Sequence, residues 1–230
     1  MKRYFILAII SITISCSPLR HYRDLPEVKA WETEIQKFEK LDRTETYPDN
    51  SLIFTGSSSI RRWATLAGDM APYPVIQRGY GGAKLSDFAV YTDRILYPHE
   101  CQAIVIFIAN DINGGDADKT PREVLRLFRY VVKTIRKQFP DTPLFWIAIT
   151  PTSSRWSVWP QIREANNLIK DYCDKQHNLY FIATENAFLN EEGKPRNEYF
   201  VSDLLHLNED GYMLWTGIIK NELNKVLNYP

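Results

Sequence analysis

Five short apolar runs, separated by amphipathic stretches, constrain the fold of this chain more than any other feature. They fall at residues 52–55, 74–77, 103–108, 144–149 and 179–182. Ala103-Ile104-Val105-Ile106-Phe107-Ile108 is apolar throughout, as is Leu144-Phe145-Trp146-Ile147-Ala148-Ile149. Unalternated runs of this length suit parallel strands buried on both faces. The intervening stretches have helical periodicity. After Thr120-Pro121, a polar cap with Pro at the first turn, Val124, Phe128, Val131, Ile135 and Phe139 line one face. Arg126, Arg129, Lys133 and Lys137 form the opposite face, which reads as solvated. Residues 28–41 form another helix, striped by Trp31, Ile35, Phe38 and Leu41. Strands alternating with helices predict a three-layer α/β/α sandwich around a five-stranded parallel sheet. The 230 residues fit one such domain.

The first residues read differently. Lys2 and Arg3 precede an apolar run over residues 4–14, broken by Ser11 and Thr13, and then Ser15-Cys16-Ser17. A short cationic region, about ten apolar residues and a small residue before the cut make a secretory signal. The run is too short for a permanent membrane span, which needs about 20 residues. Thr13-Ile14-Ser15-Cys16 resembles a bacterial lipobox, which implies lipid on Cys16. The expected layout is therefore a signal peptide of lipoprotein type over 1–15, a tether over 16–26 and a domain over 27–230. The expected location is the bacterial cell envelope, on its surface or in the periplasm. Cys101 and Cys173 are expected as two buried thiols, although an exported chain permits a disulfide.

Charge narrows the function. Lys plus Arg equals Asp plus Glu at 28 each, so the basic excess of a nucleic-acid binder is missing. No Cys/His spacing suggests a metal site, and no cofactor is expected.

Ligands of parallel sheets bind beyond the carboxyl ends of the strands, and three polar segments follow strands directly. After the first comes Gly56-Ser57-Ser58-Ser59, where a Ser on a tight turn exposes its hydroxyl or simply caps a helix. After the second comes Arg78-Gly79-Tyr80-Gly81-Gly82, whose glycines bring backbone N–H groups to a ligand or make a turn. After the third comes Asn110-Asp111, an amide that aims at an oxyanion or makes an Asx-turn. Near the end, Asp203 and His206 are spaced to meet on one turn before a helix opening at Asn208. His99 and the alternative pair Asp174/His177 precede strands, and so belong at the opposite edge of the sheet. That leaves His206 as the base.

Together these segments resemble the SGNH/GDSL hydrolases, over residues 52 to about 223. The platelet-activating-factor acetylhydrolase-like branch is the nearest in pattern, through Gly56-Ser57-Ser58-Ser59, Ser153-Ser154-Arg155-Trp156 and Trp159-Pro160. Ser57 stands where block I has Asp, and Ile108 where block III has Gly. The resemblance implies a flavodoxin-like sandwich and a serine esterase. It makes Ser58 the nucleophile, His206 the base and Asp203 its orienter. Ser58, Gly82 and Asn110 form the oxyanion hole. It further implies a short acyl group, acetyl foremost, on a small molecule or a glycan. Arg155, Trp156 and Trp159 are then candidate substrate contacts, the tryptophans either shaping the pocket or packing the loop. Two rivals use the same residues: a glycan-binding envelope protein without turnover, and an acyltransferase to sugar.

Overall fold

All five apolar runs become strands of one parallel sheet, in the order β2-β1-β3-β4-β5. The strands are β1 (Leu52–Gly56), β2 (Val75–Gly79), β3 (Ala103–Phe107), β4 (Leu144–Ile147) and β5 (Leu179–Ile182). The computed structural model describes residues 19–227, so the expected signal segment and Cys16 lie outside the described residues. Nine helices connect or flank the strands among those residues. They are α1 (Arg20–Arg23), α2 (Pro26–Lys29), α3 (Glu32–Thr44), α4 (Ser58–Arg61), α5 (Leu66–Asp69), α6 (Leu85–Leu96), α7 (Pro121–Gln138), α8 (Trp159–Cys173) and α9 (Glu209–Val226).

The chain steps one way from β1 to β2, then crosses back to β3 and continues to β5. Right-handed crossovers therefore put helices on both faces. Helices α3, α6, α7 and α8 pack in a row on one face. Helix α9 covers the other, where Trp215 meets Phe107 and Trp63. β1 and β3 are the neighbours whose connections leave in opposite directions, which is where open α/β sheets form their ligand crevice.

The local reasons are visible in the sequence. Thr120 accepts from the Glu123 N–H while Glu123 reaches back to the Thr120 N–H, a reciprocal cap for α7. Val124, Phe128, Val131, Ile135 and Phe139 are all buried, as their spacing predicts. β4 stops two residues short of its apolar run. Ile149 leaves the strand because the Asn166 side chain takes both its N–H and its C=O, at 3.0 and 2.9 Å. β2 instead runs two residues past its apolar segment. Arg78 is accommodated there, buried against Asp42 and the hydroxyl of Tyr47.

Two expectations need correction. The described part of the tether, residues 19–26, contains α1 and the start of α2, and Leu19 is buried. Leu19 and Tyr22 join the core cluster, so this segment is docked rather than free. In the next helix Ile35 and Phe38 are buried, but Leu41 is 37% exposed, because the apolar stripe ends one turn early. Trp159 is a core side chain at 6% exposed. Cys101 and Cys173 are free thiols, the former half-buried and the latter buried. Burial pushes both up to about 12.

Candidate active site

Gly56 ends β1 in a conformation that only glycine adopts readily, at φ +125°. A Cβ there would overlap the Phe107 carbonyl of β3. The chain then turns sharply. The turn is held by Ser57 N–H donating to Phe107 O at 2.8 Å and by Tyr80 N–H donating to Gly56 O at 2.9 Å. Ser57 and Ser59 are buried, whereas Ser58, the first residue of α4, is half-exposed. Of the three serines, Ser58 alone hydrogen-bonds to His206, with Oγ 3.0 Å from Nε2.

His206 comes from the loop before α9. Its Nδ1 lies 2.6 Å from Asp203 Oδ2. Asp203 Oδ1 accepts the N–H groups of Leu205 and His206, each at 2.9 Å. Leu204 takes a left-handed conformation at φ +53° to close this turn, an uncommon state for a bulky residue. Burial opposes ionisation of Asp203, but the His206 ring and the two backbone donors outweigh it and hold the carboxyl at about 2. An ionised Asp203 fixes the proton on Nδ1, leaving the Nε2 lone pair toward Ser58.

Asn110 follows β3 and lines the same cavity as Ser58 and His206. Its Nδ2 donates to Ala83 O at 2.9 Å, and its Oδ1 accepts from Arg155 at 2.6 Å. The adjoining Asp111 is buried and takes the Leu85 N–H at 2.8 Å, with Lys119 at 3.1 Å. Gly82 is exposed on the loop after β2 at φ +75°, with Trp31 against its Cα side. It does not line the Ser58 cavity, although its neighbour Ala83 is tied to Asn110. The competing histidines lie elsewhere. His99 is buried beside Asp42 at 3.3 Å, and His177 is exposed at the turn into β5.

The cavity is small. About 30 Å³ is open to the centre of a water-sized sphere, between Ser58, Asn110, Thr152, Phe200, Leu205 and His206. Arg155 contributes to this wall, but its guanidinium is engaged with the Ala109 carbonyl and Asn110. Trp156 and Trp159 stay out of it. They stack on one another at 6.1 Å, and Lys194 covers the Trp156 ring at 5.1 Å. Trp156 thus has ring and cation partners within the loop, which is the loop-packing alternative for these tryptophans.

The sequence reading missed a buried carboxylate, Asp87. It accepts from the Tyr80 hydroxyl at 2.6 Å and from the Lys84 N–H at 3.0 Å, so it ties both ends of the loop carrying Gly82. Burial raises it to about 7. Its position at the third residue of α6 was an available signal, since acids there commonly cap the helix start.

A five-stranded parallel sandwich with these groups at its carboxyl edge defines the class of SGNH/GDSL-type hydrolases. The chain belongs to the GDSL-like Lipase/Acylhydrolase family, whose model matches residues 44–214, and it is a carboxylic ester hydrolase. Among solved structures it is similar to a protein of Streptococcus pneumonia described as a candidate platelet activating factor, at 19% identity and TM-score 0.74, covering 85% of this chain and 94% of that one. It is also similar to a GDSL-like lipase of Bacteroides thetaiotaomicron, at 15% identity and TM-score 0.69, with coverages of 84% and 98%. A catalytic mutant of an acetylxylan esterase from Geobacillus stearothermophilus follows, at 13% identity and TM-score 0.62, with coverages of 76% and 94%. At these identities the likeness is one of fold. No curated protein matches the sequence.

Proposed function

We propose that this hydrolase removes short acyl groups, acetyl foremost, from hydroxyls of a glycan through Ser58, His206 and Asp203. The observation that carries the reading is the unbroken line from Ser58 Oγ to His206 Nε2 and from His206 Nδ1 to Asp203, 3.0 and 2.6 Å long. His206 takes the Ser58 proton as Oγ attacks the ester carbonyl. The Ser58 N–H and the Asn110 amide receive the oxyanion, and His206 then protonates the leaving alcohol. Water attacks the acyl-enzyme in a second round, with His206 again as base. The small cavity beside Ser58 supports a short acyl group. A water needs about 10–15 Å³ by the same measure, so the roughly 30 Å³ beside Ser58 favours a group of acetyl size. The glycan alcohol is supported by the fold shared with an acetylxylan esterase.

Aryl acetate, butyrate and octanoate, together with acetylated xylo-oligosaccharides, test the reading. The expected result is kcat/KM falling steeply beyond acetate, acetate release from the oligosaccharide, and loss of both activities in Ser58→Ala and His206→Ala. Equal turnover in those variants would remove the triad, and a preference for octanoate would remove the acyl assignment. Acyl transfer to an added sugar alcohol in place of acetate release would make the chain a transferase with the same residues.

We also propose export and lipid attachment at Cys16, supported by the cationic start and the apolar run over residues 4–14. Metabolic labelling with a fatty acid, lost in Cys16→Ala, is the expected outcome. An unlabelled wild type in a lipoprotein-processing host would overturn it.

A further inference from the structure

Asn110 sits in the cavity with two chemically opposite ends to its side chain, and only one of them stabilises an oxyanion. An amide flipped by half a turn would present its carbonyl oxygen to the developing negative charge. The structure contains a device against that flip. Arg155, from the 3-10 turn Ser153–Val158 after β4, reaches across to β3 and donates to the Ala109 carbonyl and to Asn110 Oδ1. On its other end the amide donates to Ala83 O at 2.9 Å. Either contact would be repulsive in the flipped state, NH₂ against guanidinium or oxygen against carbonyl. One hydrogen of Nδ2 serves Ala83, and no described residue takes the second. Asn110 itself lines the space beside Ser58.

The guanidinium is unusual in a second respect. Among the described residues it has no carboxylate partner in salt-bridge contact, although it lies mostly buried at the wall of the cavity. Burial draws its pKa below the usual arginine value, with Asp118 and Asp111 opposing from farther away. A buried cation held by a neutral carbonyl and a neutral amide adds positive potential at the place where negative charge would develop. A planar fork can satisfy both acceptors at once, whereas an ammonium is a single compact point charge.

We propose that Arg155 is a positioning residue, which fixes the donor end of the Asn110 amide toward the nucleophile and supports the oxyanion through that amide. The proposal rests on the triad reading above, and it replaces direct substrate binding as the role of this arginine. Its effect belongs in kcat. Loss of one oxyanion donor lowers kcat by about 10²–10³-fold.

The experiment is a double-mutant cycle on an aryl acetate, with purified Arg155→Met, Arg155→Lys, Asn110→Ala and the Arg155→Met/Asn110→Ala pair. Arg155→Met should lower kcat on the order of 10²-fold with KM changed less than about threefold. The pair should be no slower than Asn110→Ala alone, because the arginine acts through the amide. Arg155→Lys keeps the charge without the fork and should fall between wild type and Arg155→Met. Should Arg155→Met fail to fold, Arg155→Lys and its pair with Asn110→Ala carry the same comparison. A raised KM at constant kcat, or losses that multiply in the double variant, would overturn the proposal. A wild type inert on every ester overturns the triad reading itself, whereas an active wild type matched by Arg155→Met overturns only this one.

Discussion

Asp203 is a surface carboxylate at 43% side-chain exposure, yet the His206 ring and two N–H groups keep it ionised down to about pH 2. Its folded value is depressed, so whatever stability it adds is present above the unfolded value near 3.8 and lost as pH falls through 2. On the proposed triad its larger effect is expected in turnover. Asp203→Asn should lower kcat on aryl acetate by about 10³–10⁴-fold, because an amide no longer enforces the proton on Nδ1. An unchanged kcat with intact folding would deny the carboxylate its role. Asp87 has the opposite sign. Its folded value is raised to about 7 by burial, so the folded chain holds a proton that the unfolded chain releases above about 3.8. Stability from this group is therefore fully present below pH 3.8 and declines as pH rises to 7, by up to about 1.4 kcal/mol per unit. Asp87→Asn retains an acceptor for Tyr80 and Lys84 without the titration. Urea midpoints at pH 5, 6, 7 and 8 should fall for wild type relative to Asp87→Asn, and parallel profiles would contradict the assignment.

At the scale of elements, what was legible in the sequence was what repeats. β5 matches its apolar run to the residue, and the other four strands begin within one residue of theirs. The α7 face is buried as spaced. The meeting of Ser58, His206 and Asp203 was equally open to reading, since Asp203 and His206 are three apart and Ser58 follows a strand directly. The strand ends of β2 and β4 were hidden, because they are set by Asp42 and Asn166, side chains 36 and 17 residues away. The engagement of Arg155 with Asn110 was hidden for the same reason, that partner being 45 residues distant. A local device makes a local prediction. Thr120→Ala removes the reciprocal cap of α7 and should cost about 1 kcal/mol, lowering Tm by roughly 2–4 °C. The helix lies away from the cavity, so kcat should not change. A drop in kcat with unchanged Tm would place the effect in the wrong element.

The molecule as a whole is larger than the part its family pattern covers. The family match begins at residue 44, but Leu19, the first described residue, is already buried, and α3 supplies Asp42 to the buried Arg78. Val28, Ile35 and Phe38 are 1%, 0% and 8% exposed. Full burial of such side chains stabilises by about 1.5–3 kcal/mol each. A chain starting at residue 44 would lose all three and the partner of Arg78. That loss is comparable to the roughly 5–15 kcal/mol that holds an ordinary domain together. It would also uncover the exposed Gly82 loop, against which Trp31 rests. The truncated chain should be insoluble or melt more than about 10 °C below one starting at residue 19, by calorimetry. Asp42→Ala in the longer chain separates the two contributions. It leaves Arg78 buried without its carboxylate and should alone cost about 3–5 kcal/mol, while the apolar contacts of α2 and α3 stay in place. If the chain starting at residue 44 melted with the longer one and turned over ester at the same rate, the first 25 described residues would be an appendage. For residues 19–26 the expected tether would then have been the better description.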